Sequence, residues 1–207
     1  MQQQTEEWFA ARLGKVTASR VADLMAKTKS GYSTSRANYM AELICERLTG
    51  QQAERYSNAA MQWGTDTEPQ ARASYEITAG QAVEECGLFD HPSIPMFGAS
   101  PDGLIGTDGL VEIKCPNTAS HIETLLGASI EGKYITQMQT QMLVTGRKWC
   151  DFVSFDPRLP VDMQMFVQRV HRDDTHIAEI EAEVRKFLFE LSTKVATLTA
   201  KYGAAAA

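Results

Sequence analysis

At 207 residues, 43% hydrophobic and 22% charged, the chain is long enough to bury one sizeable core and falls within the range of a single globular domain. It has no apolar run of about 18 residues, and its N-terminal stretch is polar and mixed in charge, which argues against a membrane span or an export signal and for a soluble, cytoplasmic setting. A net charge of −6 excludes a protein coated in basic residues for DNA binding, and the singly spaced Cys45, Cys86, Cys115 and Cys150 exclude a clustered zinc or iron–sulfur site.

In chain order, residues 5–30 read as a helix or two, with Trp8, Leu13, Val16, Val21 and Leu24 as the apolar positions. The Lys/Ser/Gly/Thr-rich stretch from Lys27 to Ser35 reads as a loop. Met40, Leu43, Ile44 and Leu48 recur at helical spacing over 36–48, with Gly50 as the stop. A further helix is expected over 67–79, where Pro69 is tolerated in the first turn, Glu68 stands at the helix start and Gly80 ends it.

Alternating or apolar runs at 82–89, 95–99, 103–106, 110–115, 149–155 and 163–170 read as strands separated by Gly, Pro and Asp. Helical spacing over 134–144 between two of these runs makes a β-helix-β crossover. Ile177, Ile180, Val184, Phe187, Leu188 and Leu191 then mark an amphipathic helix after the capping candidates Asp173 and Asp174. The low-complexity tail 203–207 is expected to be disordered. The class is therefore α/β, one domain over 1–207, with a central mixed β-sheet flanked by helices.

Charge is unevenly spread: residues 1–50 hold seven Lys/Arg against five Asp/Glu, and residues 51–110 hold two against nine. Such an excess of carboxylate is either a solvated acidic face or the setting of a divalent-cation site. The segment from Ser100 to Pro116 reads as a hairpin whose second strand ends in Glu112-Ile113-Lys114. Strand alternation sends Leu110, Glu112 and Lys114 to one face and Val111 and Ile113 to the other, with Asp102 at the start of the first strand within reach.

Asp102 and Glu112 would supply hard oxygen ligands, the Ile113 carbonyl another, and Lys114 an ammonium to hold an attacking water or neutralise developing charge. The same residues could equally be an ion pair on an exposed strand beside ordinary turn chemistry.

Around this string stand Arg12-Leu13-Gly14-x-x-Thr17-Ala18-Ser19, Trp63-Gly64-x-x-x-Glu68 and Gln137-x-Gln139. These blocks, in this order, resemble the phage lambda-type exonucleases, the viral-recombinase or alkaline-exonuclease branch of the restriction-endonuclease-like fold. The resemblance implies that Asp102, Glu112 and Lys114 are catalytic, and that Glu68, Asp102, Glu112 and the Ile113 carbonyl hold two Mg²⁺ ions, with Mn²⁺ a possible substitute. It also implies a pocket for a 5′-terminal phosphate formed by Arg12, Ser19, Ser100 and Gln139, and a base-splitting wedge at Met61. Lys27, Lys29 and Arg36 would follow the DNA backbone.

The implied activity is 5′-to-3′ degradation of one strand of linear double-stranded DNA to mononucleotides, leaving a 3′ overhang for recombination by strand annealing. A homotrimeric ring around DNA, a single-strand annealing protein as partner, and a phage or prophage origin with a bacterial cytoplasm as the site of action are implied too. Two other classes compete. A restriction-like or structure-selective endonuclease shares the Asp…Glu-x-Lys chemistry but needs no grip on a DNA end. A DNA-end-binding protein would need no catalytic triad.

Overall fold

The computed structural model describes residues 2–53 and 58–203. In chain order it contains α1 (Glu6–Arg12), β1 (Val16–Thr17), a 3₁₀ turn (Ala18–Arg20), α2 (Val21–Met25), β2 (Lys27–Thr28), β3 (Gly31–Tyr32), α3 (Thr34–Thr49) and α4 (Ala59–Ala79). There follow β4 (Phe89–Asp90), β5 (Phe97–Ala99), β6 (Gly103–Ile105), β7 (Gly109–Lys114), α5 (Thr118–Gly127) and α6 (Gly132–Thr145). β8 (Trp149–Phe155), a second 3₁₀ turn (Val161–Met163), β9 (Met165–His171) and α7 (Asp174–Tyr202) complete it. Apart from Gly203, the expected tail lies outside the described residues.

The main sheet has the order β6-β7-β8-β9, with β7 and β8 parallel and the outer pairs antiparallel. Helices α5 and α6 make the crossover between the parallel strands, as a parallel pair requires. A smaller sheet, β1-β5-β4, lies beside it, with β1 parallel to β5. The mixed α/β architecture thus stands as expected, with its strands divided among these two sheets and a two-stranded ribbon, β2-β3.

Strand alternation sorts the core. Val111 and Ile113 of β7 pack with Val153 and Phe155 of β8 against Ala71 and Tyr75 of α4. On the opposite face, Leu110, Cys150 and Phe152 pack against Met138 and Met142 of α6 and Ile177 of α7. A third cluster joins α2, α3 and α7 to β1 and β5 through Leu24, Tyr39, Leu43, Phe97, Phe187 and Leu191. Each fully buried Leu or Phe contributes roughly 2 kcal/mol from lost water contact.

Caps account for most element ends. Asp173 accepts hydrogen bonds from the backbone N–H of Thr175 and His176 and starts α7, and Gly50 (φ 67°) and Gly80 (φ 62°) end α3 and α4 in the left-handed conformation.

Three expectations need correction. α4 begins at Ala59, not Thr67, because Asn58 caps it by accepting from the Met61 N–H. Pro69 therefore lies inside the helix and Glu68 in its middle, and the packed Ala71 and Tyr75 hold the turn in spite of the missing N–H. The strand expected over 82–89 reduces to a bridge between Glu84 and Leu104 and the short β4, since the Val83 N–H is taken by the Glu76 side chain instead of a neighbouring strand. The stretch from Lys27 to Ser35 contains a two-stranded ribbon, β2 and β3, before α3 starts at Thr34.

Candidate active site

β7 brings Glu112 and Lys114 to the same face, as alternation requires, and their charged ends form an ion pair. The strand is buried along its length except at Lys114, and Glu112 is 0% exposed, so the pair is not a feature of an exposed strand. Glu112 also accepts N–H bonds from Gln137 and Gln141 of α6, both at 2.6 Å. These glutamines are one helical turn apart and therefore share a face. The Lys114 ammonium also lies 5.3 Å from the centre of the Tyr134 ring.

Asp102, in the turn between β5 and β6, accepts the backbone N–H of Ile113 at 2.7 Å. Burial raises the Asp102 carboxyl well above its usual range, and the negative charge of Glu112 pushes the same way. Burial also raises Glu68, although Arg72 beside it partly offsets the shift. The pKa of Lys114 also rises, for a different reason: burial alone would lower it, but Glu112 and Asp102 together outweigh burial and keep the ammonium charged.

Glu68 reaches this centre from α4 and lines a cavity of about 480 Å³ together with Met61, Thr65, Ile113, Lys114 and Tyr134. Among the described residues, no three His, Cys, Asp or Glu side chains are grouped closely enough to ligate an ion as they stand. Lys114 occupies Glu112, and Arg72 holds Glu68 at 2.7 Å. The donor set itself, carboxylate and carbonyl oxygen, is the chemistry a hard divalent cation needs.

A second cavity, of about 360 Å³, is lined by Arg12, Lys15, Thr17, Ser19, Arg20 and Met61, and by Glu42 and Glu46, of which Glu42 pairs with Arg20 and Glu46 accepts the Gly14 N–H. Arg12 donates to Ser100 at 3.3 Å and to Thr17 at 3.4 Å, and its guanidinium lies 4.1 Å over the Trp8 ring. Ser100 also accepts the Trp8 indole N–H at 3.0 Å. Arg12, Ser19 and Ser100 are thus brought to one region. Met61, 55% exposed, lines both cavities.

Two of the predicted site residues have their polar groups engaged elsewhere. Gln139 is buried, donating to the His171 carbonyl and accepting the Asp173 N–H, so its amide is engaged at the β9–α7 corner. Two residues along a helix turn the side chain by about 200°, which is why Gln137, and not Gln139, faces Glu112. Arg36 is 4% exposed, lies against the rings of Tyr32 and Phe187 and pairs with Glu190, so its guanidinium is engaged within the protein. Lys27 pairs with Glu183 at the surface, and Lys29 is exposed.

Sequence reasoning also missed the supports of the site. Arg158 donates to both oxygens of the buried Asp156 and to the Pro116 carbonyl, and its guanidinium lies 4.2 Å from the Trp63 ring, joining α4 to the ends of β7 and β8. Only the i, i+4 spacing of Gln137 and Gln141, and of Glu68 and Arg72, offered a signal in the sequence.

The model of the YqaJ-like viral recombinase domain matches residues 7–148. Among solved structures, an alkaline exonuclease (LHK-Exo) from Laribacter hongkongensis is 62% identical, with 95% of this chain and 97% of that chain covered and a TM-score of 0.89. The structure of LHK-Exo in complex with dAMP is 63% identical over the same shares, with a TM-score of 0.90. A phage related exonuclease from Haemophilus somnus 129PT has the same fold at 17% identity, with a TM-score of 0.74 over 89% of this chain and 96% of that one. Among curated proteins, none matches. With more than half its length matched and a close structural relative over nearly all of it, the chain belongs to the YqaJ-like viral recombinase family.

Proposed function

We propose that this protein is a divalent-metal-dependent exonuclease that degrades one strand of linear double-stranded DNA from its 5′ end and leaves a 3′ overhang. The observation that carries this reading is the adjacency of two sites. An arginine- and hydroxyl-lined cavity suited to a terminal phosphate shares Met61 with the cavity that contains Lys114 and Glu68. A grip on an end beside a hydrolytic centre favours release of nucleotides from that end. The 62% identity to an alkaline exonuclease supports the same class of activity.

In this reading Asp102, Glu112, Glu68 and the Ile113 carbonyl would hold Mg²⁺, two ions per site, and Mn²⁺ could replace it. When bound, such ions activate water and stabilise charge on the departing oxygen. Gln137 and Gln141 fix the Glu112 carboxylate, and Lys114 supplies positive charge at the reacting phosphate. Arg12, Ser19 and Ser100 seat the terminal phosphate, Gln137 replaces Gln139 near the reacting end, and Met61 separates the terminal bases. Lys27 and Lys29 contact the backbone. The proposal extends to a ring-shaped homotrimer and a single-strand annealing partner in a bacterial cytoplasm.

Hydrolysis of linear duplex DNA with Mg²⁺ by Asp102→Ala and Lys114→Ala tests the assignment. Each substitution is expected to lower the rate by at least about 10²-fold, the usual effect of removing a transition-state group. A rate near wild type for either would overturn it.

A further inference from the structure

The geometry points to Arg72 as an internal counter-ion that competes with the metal for Glu68, with Glu85, already paired with it, as the carboxylate that retains it when an ion binds. This rests on the proposed reading of Glu68 as a metal ligand. Arg72 stands one helical turn after Glu68 on α4, which puts the two side chains on one face. One end of its guanidinium bonds Glu68 at 2.7 Å, while the other is paired with Glu85. The Arg72 Nε is buried and has no hydrogen-bond partner, so the fork is only partly engaged.

The three side chains differ in exposure in a way that suits this role: Arg72 is 15% exposed, Glu68 33% and Glu85 60%. All three line one cavity of about 310 Å³ with Asp102 and Cys86, which leaves room for the guanidinium to shift. Glu68 lines both this cavity and the one containing Lys114.

A carboxylate oxygen that bonds a guanidinium must give up part of that bond to ligate a cation, and two cations on one carboxylate repel each other in a partly dry site. Arg72 therefore lowers the affinity of Glu68 for an ion. Glu85 reduces that penalty by retaining the guanidinium once its bond to Glu68 is given up. In the metal-free chain the same arrangement compensates charge that Asp102, Glu112 and Glu68 would otherwise leave facing one another.

Titration calorimetry with Mn²⁺ alone, on the full chain without DNA, tests this in wild type, Glu68→Gln, Arg72→Gln, Glu85→Gln and the Arg72→Gln/Glu85→Gln pair. Arg72→Gln is expected to bind Mn²⁺ about tenfold tighter, the scale on which a side chain touching a metal ligand acts. Glu85→Gln is expected to bind more weakly than wild type, yet to change nothing once Arg72 is replaced, because Glu85 acts through Arg72.

Unchanged or weaker Mn²⁺ binding by a folded Arg72→Gln would overturn the proposal. So would an equal effect of Glu85→Gln in both backgrounds, which would mark it as a simple surface charge. Should Arg72→Gln fail to fold, Arg72→Met keeps the apolar stem and carries the same expectation. Wild-type affinity in Glu68→Gln would overturn the underlying reading of Glu68 instead.

Discussion

Glu112 has no exposed surface, and Lys114 and two glutamine amides meet its oxygens, which offsets the cost of burying the group. Asp102 is less well served, with one backbone N–H and two neighbouring carboxylates. Its raised folded pKa means the native state holds the proton more tightly than the unfolded chain. The metal-free protein therefore loses stability as pH rises from 3.8 through the raised folded value. Asp102→Asn should remove that loss, raising the metal-free melting temperature at neutral pH while hydrolysis disappears; a lower melting temperature would count against a charge-strained site.

The pair Glu112 and Lys114 was legible in the sequence because period-two alternation fixes direction along a strand. Helical phase separates the two glutamines of the Gln137-x-Gln139 block: Gln137→Ala should reduce the turnover of folded enzyme, whereas Gln139→Ala should lower the melting temperature first. Thermal melts and initial rates of the two variants separate these effects.

α4 carries Glu68, and two contacts set its position against the sheet. The Tyr75 hydroxyl donates to the buried Asp151 at 2.6 Å, and Arg169 grips the same carboxylate. Tyr75→Phe leaves Arg169 in place and is expected to cost about 1.5–3 kcal/mol in urea unfolding, the scale of a hydrogen bond to an ion-paired carboxylate.

Nearer its start, α4 meets Arg158 through Trp63. Burial pushes the Asp156 carboxyl up, but Arg158 and Thr118 outweigh it and bring the pKa down to about 2. The sign is the reverse of that at Asp102: stability is present above 3.8 and lost as pH falls toward about 2. Asp156→Asn should cost ~2 kcal/mol at neutral pH and little near the acid end, as compared by urea unfolding at the two pH values. Element type was readable wherever a periodic run was long, as in α3, α6 and α7, and β8. The start of α4 was misread because a proline was given more weight than the Asn58 cap, and the 82–89 run failed as a strand because pairing partners do not appear in local sequence.

At the scale of the molecule, β7 and α4 meet at a carboxylate centre, and α1 with the turn after β1 forms a separate arginine-lined cavity next to it. The sequence held the residues of both sites but not their adjacency, which depends on contacts between segments far apart in the chain. Arg12→Ala should slow digestion of duplexes with 5′ phosphates more than those with 5′ hydroxyls; equal losses would remove the phosphate role from that cavity.

The most direct measurement is digestion of linear duplex DNA labelled separately at its 5′ and 3′ ends, beside a closed circle, with Mg²⁺ and with chelator. The expected result is Mg²⁺-dependent release of the 5′ label as mononucleotide with the circle intact. A nicked circle, release of the 3′ label first, or hydrolysis undiminished by chelator would contradict a metal-dependent 5′-end exonuclease.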